Sequence, residues 1–200
     1  MPETGGDALN TPGTSARTLV AVLALSATAL LRAEDALDGE LEIRSAYAVP
    51  SHGVIMVSAH VIYPRSERLV GSLKDGVTLS FGLECSITHH RRLWFDAEAV
   101  HLVRHRELSY QVIADRYLLR DTDAGSQESF PTLEAALAAL GAVEEWPVAV
   151  DSQLRQDEEW QIGLRADVRR GHMPDALRAL MFWSDAWHRA SEWYTWTLVR

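Results

Sequence analysis

A single cysteine, Cys85, in 200 residues leaves the chain without an intrachain disulfide. The fold must therefore stand on its hydrophobic core, which a chain of this length can supply. Lysine is almost absent too: Lys74 is the only one, and arginine carries the remaining positive charge. Acidic residues outnumber basic ones by 28 to 19, for a net charge of −9. That balance argues against a phosphate-backbone binder, which needs a clustered basic surface to displace counterions, so no nucleic-acid partner is expected. No His-Glu-x-x-His, no Gly-x-Ser-x-Gly elbow and no Gly-rich phosphate loop occurs, so the commonest signatures of hydrolysis and phosphate binding are missing. No cofactor is implied.

No run of about 20 apolar residues, the length needed to span a bilayer, is present either. The longest, Thr18 to Leu31, is uncharged, is preceded by Arg17 and ends at Arg32, Glu34 and Asp35. Its length fits a cleaved export signal; an uncleaved anchor and a buried helix are the alternatives. Glu3 and Asp7 in the leader, and the poor cleavage site Leu31-Arg32-Ala33, depart from the usual signal pattern. No cysteine directly follows the run, which excludes a lipoprotein anchor. Met1 to Ala16, rich in Gly, Thr, Pro and Ser, reads as disordered. Residues 1–33 are thus a leader with a signal peptide or N-terminal apolar segment, and residues 34–200 are a single domain.

What is present is a two-residue rhythm. Val77, Leu79, Phe81, Leu83, Cys85 and Ile87 alternate with Thr78, Ser80, Gly82, Glu84, Ser86 and Thr88, the pattern of a half-buried strand. Cys85 lies in the apolar set and reads as a buried small hydrophobe. Trp160, Ile162, Leu164, Ala166 and Val168 repeat the pattern. Leu41, Ile43, Tyr47 and Val49 are expected on one face of a first strand, turning at Pro50 to Gly53 into Ile55 to Tyr63. The chain runs extended from Trp94 to about His105, and Leu108 to Ile113 pairs with Tyr117 to Arg120 as a further hairpin.

Ser66 caps a short helix ending at Lys74, and Thr132 caps a second with the stripe Leu133, Ala136, Leu137, Leu140, stopped by Gly141. Pro174 opens a third through Trp183. The last strand, Trp193 to Val199, has apolar residues in both alternating sets and is expected to be covered on both faces. Strands follow strands with short connections. The expected fold is mainly β (β-rich α+β): an antiparallel β-sandwich, immunoglobulin-like in general architecture, with two or three short helices.

The order Gly76-Val77-Thr78-Leu79-Ser80-Phe81, Arg92-Leu93-Trp94-Phe95-Asp96, Leu108-Ser109-Tyr110, Arg116-Tyr117 and Ser129-Phe130-Pro131-Thr132-Leu133-Glu134-Ala135-Ala136-Leu137, followed by Trp146, carries a resemblance. It closes on Trp187, Ser191, Trp193 and Trp196 in a Trp-x-x-x-Ser-x-Trp-x-x-Trp pattern. Over about residues 40 to 198 the chain resembles the bacterial domain of unknown function 4390 family. The resemblance implies an exported or membrane-associated protein, often encoded beside two-component signalling genes. It implies no catalytic residues. The chain departs from the family in its acidic leader and in having one aromatic pair, Trp94-Phe95, in place of a longer run.

Tryptophan is the unusual enrichment: all seven lie after residue 93, and Trp183, Trp187, Trp193 and Trp196 fall within fourteen positions. They read either as packing at the end of the sandwich or as a contact surface for glycan, peptide or membrane interface. His89, His90, Arg91 and Arg92 form a basic knot that is either a solvated turn or a seat for an anionic partner. On a strand, His101 and His105 stand about 13 Å apart, too far to share a metal ion. Asp121-Thr122-Asp123-Ala124-Gly125 begins like a calcium loop, but lacks the third ligand and the closing glutamate.

The expected function is a non-enzymatic binding or interaction module of the cell envelope, periplasmic or membrane-associated, whose partner is an envelope protein or ligand. The N-terminal apolar segment offers a means of membrane association. The alternatives are an envelope hydrolase with a nonlocal His/Asp/Ser site around His101, His105 and Asp115, and a membrane-surface structural protein using the C-terminal tryptophans.

Overall fold

The computed structural model describes residues 37–89, 97–155, 158–171 and 188–199. Strand β1 (Glu42–Ser51) turns through His52 and Gly53 into β2 (Val54–Ile62). Both turn residues have positive φ, 52° and 78°, which matches the right-handed twist of the paired strands. Helix α1 (Glu67–Lys74) follows, capped by Ser66 Oγ, which accepts from the Leu69 N–H at 3.0 Å. The chain then runs through β3 (Leu79–His89), β4 (Ala97–Gln111), β5 (Arg116–Asp121) and β6 (Gln127–Phe130). Helix α2 (Leu133–Gly141), β7 (Ala142–Val150) and a single 3-10 turn (Asp151–Gln153) come next. Finally come β8 (Trp160–Arg170), β9 (His188–Ala190) and β10 (Tyr194–Thr197).

The strands form two antiparallel sheets, a small one ordered β1-β2-β7 and a large one ordered β10-β8-β3-β4-β5-β6, with β9 also on β8. The fold is thus mainly β and sandwich-like, with two short helices among the described residues. Its core is filled by the inward set of each strand. Leu79, Phe81, Leu83, Cys85 and Ile87 of β3 and Ile162, Leu164, Ala166 and Val168 of β8 join Ile55, Val57 and Val61 of β2. Leu133, Ala136, Leu137 and Leu140 of α2 complete the same cluster. Each fully buried large side chain contributes about 1.5–3 kcal/mol.

The structure departs from the sequence pattern, or adds to it, at four places. First, Tyr47 and Val49 do not share a face with Ile43. A bulge between Ile43 and Ser45 reverses the phase of β1, so Ala46 and Ala48 face the core while Tyr47 and Val49 are 59% and 48% exposed. Second, β6, β7 and β9 are strands that period two does not reveal. Strand β7 spends three steps from Val143 to Trp146 against two on β2, and two steps from Pro147 to Ala149 against one, so its apolar residues fall out of alternation. Third, β10 is covered on one face only: Tyr194 and Trp196 pack on the core, while Thr195 and Thr197 are exposed. Fourth, Gly141 ends its helix without a positive φ. A Cβ there would lie 2.1 Å from the Val61 carbonyl oxygen, so close packing of α2 on β2 is what requires glycine. The helix expected from Pro174 to Trp183 lies outside the described residues.

Two outcomes test this packing. Gly71, inside α1 with open space around its Cα, should accept alanine with a gain of about 0.5–1 kcal/mol in urea unfolding. Gly141→Ala should lose about 2 kcal/mol by overpacking. Cys85 is fully buried, and burial pushes its thiol up to about 12. A disulfide reagent should therefore label the folded chain at least roughly a hundredfold more slowly than the urea-unfolded chain.

Candidate functional site

The period that buries one face of β3 aims Glu84, Ser86 and Thr88 outward. Strand pairing sets Ser86 opposite Gly163, Thr88 opposite Gln161 and Glu84 opposite Arg165 on β8. On the far side of β8, Thr195 of β10 stands opposite Gly163. Because Gly163 has no side chain, the sheet dips there. Trp193, just before β10, leans over the dip: a Cβ at position 163 would lie 3.1 and 3.3 Å from its ring atoms and 3.6 Å from Thr195 Cγ2. Ser86, Thr88, Gln161, Gly163, Trp193 and Thr195 line an open hollow of about 170 Å³.

Trp193 is held from behind. The Arg165 guanidinium sits 5.2 Å from its ring centroid, and Arg165 Nη2 lies 3.2 Å from Glu84 Oε2. The other carboxylate oxygen of Glu84 meets His101 Nε2 at 2.7 Å. Each contact is individually worth about 1 kcal/mol or less at such exposure. Together they fix the orientation of an indole that remains 41% exposed.

The tryptophans expected together are thereby divided. Trp193 belongs to the outer face, whereas Trp196, three residues on, points inward opposite Ile162, its ring 5.9 Å from that of Tyr194. Trp183 and Trp187 lie outside the described residues, as do His90, Arg91 and Arg92. His89 is half-buried, its ring 5.3 Å from that of Trp160 and its Nδ1 3.9 Å from Glu158.

The trio His101, His105 and Asp115 does not converge. His101 is opposite Ser86 and His105 opposite Gly82, four residues apart on β4. Asp115 sits in the β4–β5 turn with φ 50°, accepting a 2.5 Å hydrogen bond from the Tyr110 hydroxyl. Among the described residues no three His, Cys, Asp or Glu side chains are arranged to hold a metal ion.

A second hollow, of about 380 Å³, opens between the Asp121–Gly125 turn and the β7 edge, lined in part by Arg104, Asp121, Glu144 and Glu145. Two of its charges, Arg104 and Asp121, are turned on one another. Asp121 Oδ2 accepts from Arg104 Nε and Nη2 at 2.9 and 2.7 Å and lies 3.6 Å from Arg106 Nε. Its Oδ1 accepts from the Asp123 and Ala124 N–H groups. The carboxylate that would open a calcium loop is thus engaged by protein donors. Glu145 holds φ 46°, its N–H donating to Ser58 Oγ at 3.2 Å, so the β7 bulge is fastened to β2.

The family model for a domain of unknown function, DUF4390, matches residues 38–197. The chain belongs to the DUF4390 family. No curated protein and no solved structure matches it. Within this DUF4390 domain the Trp193 hollow combines an exposed aromatic face with neutral hydrogen-bonding side chains. Period two marked Ser86 and Thr88 as outward-facing. Gly163, Gln161, Arg165 and Thr195 were not singled out, because only strand register brings them together.

The Asp121 cluster can be checked by pH. Burial pushes the Asp121 carboxyl up, but the Ala124 N–H, the Arg104 hydrogen bond and the Arg104 and Arg106 charges outweigh it, leaving the group below its ordinary value. A carboxyl lowered in the folded state contributes stability above its unfolded value, near 3.9, and loses it as pH falls through the folded one. Asp121→Asn should cost about 3 kcal/mol at neutral pH by leaving two partly buried arginines without their counter-charge. Urea unfolding from pH 6 down to 2 should show the loss shrinking with acidity.

Proposed function

We propose that this DUF4390 domain is a non-enzymatic binding module of the bacterial cell envelope, exported through its N-terminal apolar segment, with its ligand seated on the outer face of the large sheet. A role accessory to two-component signalling is compatible with that placement. The observation that carries the reading is the pose of Trp193: a large apolar side chain held over a glycine floor by Arg165 and Glu84, and left open on the side of the hollow. An indole required only for packing would turn inward, as Trp196 does. Exposed aromatics beside satisfied polar groups are the usual anchors of binding surfaces.

Two features weigh against the competing readings. The His101, His105 and Asp115 side chains occupy separate places, so they supply no common centre for hydrolysis. Among the described residues, the inward turn of Trp196 and the hydroxyl groups flanking Trp193 leave no contiguous aromatic belt for a membrane surface.

Trp193→Ala should fold, with an unchanged far-ultraviolet circular dichroism spectrum. It should also lose about tenfold or more of the wild-type chain's retention on isolated envelope fractions, tested separately as sacculi, membranes and soluble periplasmic proteins. Equal retention of the two chains on every fraction overturns the reading.

A further inference from the structure

We infer that the Trp193 hollow is a seat for one pyranose ring of a glycan; the inference rests on the binding-module reading and names its ligand class. The first argument is the pairing of chemistries. A pyranose ring presents a face of C–H groups and a rim of hydroxyls. The hollow presents an indole as one wall, with the hydroxyls of Ser86, Thr88 and Thr195 and the amide of Gln161 around it. Hydroxyl and amide side chains both donate and accept, as sugar hydroxyls do, so either orientation of each hydrogen bond can be met.

The second argument is exclusion. An alkyl chain would cover the indole but strand the polar groups around it without partners, at about 1–3 kcal/mol for each one buried. A phosphate or carboxylate would call for clustered cations. Among the described residues the cation beside the hollow is Arg165, which is drawn to Glu84 and laid against Trp193. Size points the same way, because about 170 Å³ is below the roughly 300–1,000 Å³ of drug-sized sites and suits a single ring.

The third argument is rigidity. The lining residues stand on β3, β8 and β10 or adjoin them, and the contacts from His101 through Glu84 and Arg165 orient the indole before any ligand arrives. Such preorganisation reduces the ordering cost that otherwise weakens binding to small, flexible, strongly hydrated ligands. Gly163 is the position that lets the indole lie close to the sheet. Any larger residue there would meet the Trp193 ring and fill the floor.

The test is saturation-transfer difference NMR and isothermal titration of the full chain with four defined oligosaccharides: chitotetraose, cellotetraose, maltotetraose and mannotetraose. At least one should bind, with saturation concentrated on the protons of a single ring. Trp193→Phe should retain binding within about threefold, Trp193→Ala should lose at least about tenfold, and Gly163→Val should abolish it. Trp193→Ala keeps the test decisive should Gly163→Val fail to fold. Absence of binding to all four oligosaccharides overturns the inference, as does binding that Trp193→Ala leaves unchanged. Trp193-dependent retention on the periplasmic protein fraction, without oligosaccharide binding, overturns the glycan assignment while leaving the binding-module reading intact.

Discussion

Strand β3 is paired along its whole length on both sides, with β4 and with β8, and the strict alternation of its side chains governs what each face of the large sheet can be. The inward set, from Leu79 to Ile87, is almost entirely removed from water and faces the inward residues of β2. A slip of one residue would expose all of them, so the apolar set pins the register. That register then dictates the neighbours of the outward set. Ser86 cannot move away from Gly163, or Glu84 from Arg165, without dragging the core with it. The hollow beside Trp193 is in this sense a by-product of core packing on the opposite face.

Where local pattern and tertiary packing agree, the fold was legible. The alternations of β3 and β8, the Ser66 and Thr132 caps and the apolar stripe of α2 all stand as their residues suggest. Legibility fails wherever one inserted residue breaks the period. In β1 a single bulge transfers Tyr47 and Val49 from the expected inner face to the outside, and Ala46 and Ala48 take their place. In β7 two insertions and Pro147 scatter the apolar residues so thoroughly that no strand pattern survives. Strand β6 is nearly all exposed and had no apolar set to reveal.

The candidate site was legible only in part, and for a different reason. Tryptophan enrichment drew attention to the C-terminal segment, but the course of the chain into β10 decides which of the two described indoles there is outward. Trp193 and Trp196 stand three positions apart, an odd step, and face opposite ways. Gly163 looks in sequence like a weak point in a strand. Its role appears only when Trp193, thirty positions away, is laid across it. The electrostatic clamp of His101, Glu84 and Arg165 likewise spans three strands and has no local signature.

The irregular course of β7 has a further consequence. It is an edge strand of the small sheet, and an unguarded edge invites neighbouring chains to add themselves strand by strand. Proline removes one donor from that border, the two insertions break the spacing of the others, and the left-handed twist at Glu145 bends the backbone between them. No straight incoming segment can match such a ladder for more than a few residues. The β7 border of the small sheet is thereby a poor template for an added strand, in a chain whose single buried thiol gives it no intrachain disulfide with which to hold its shape.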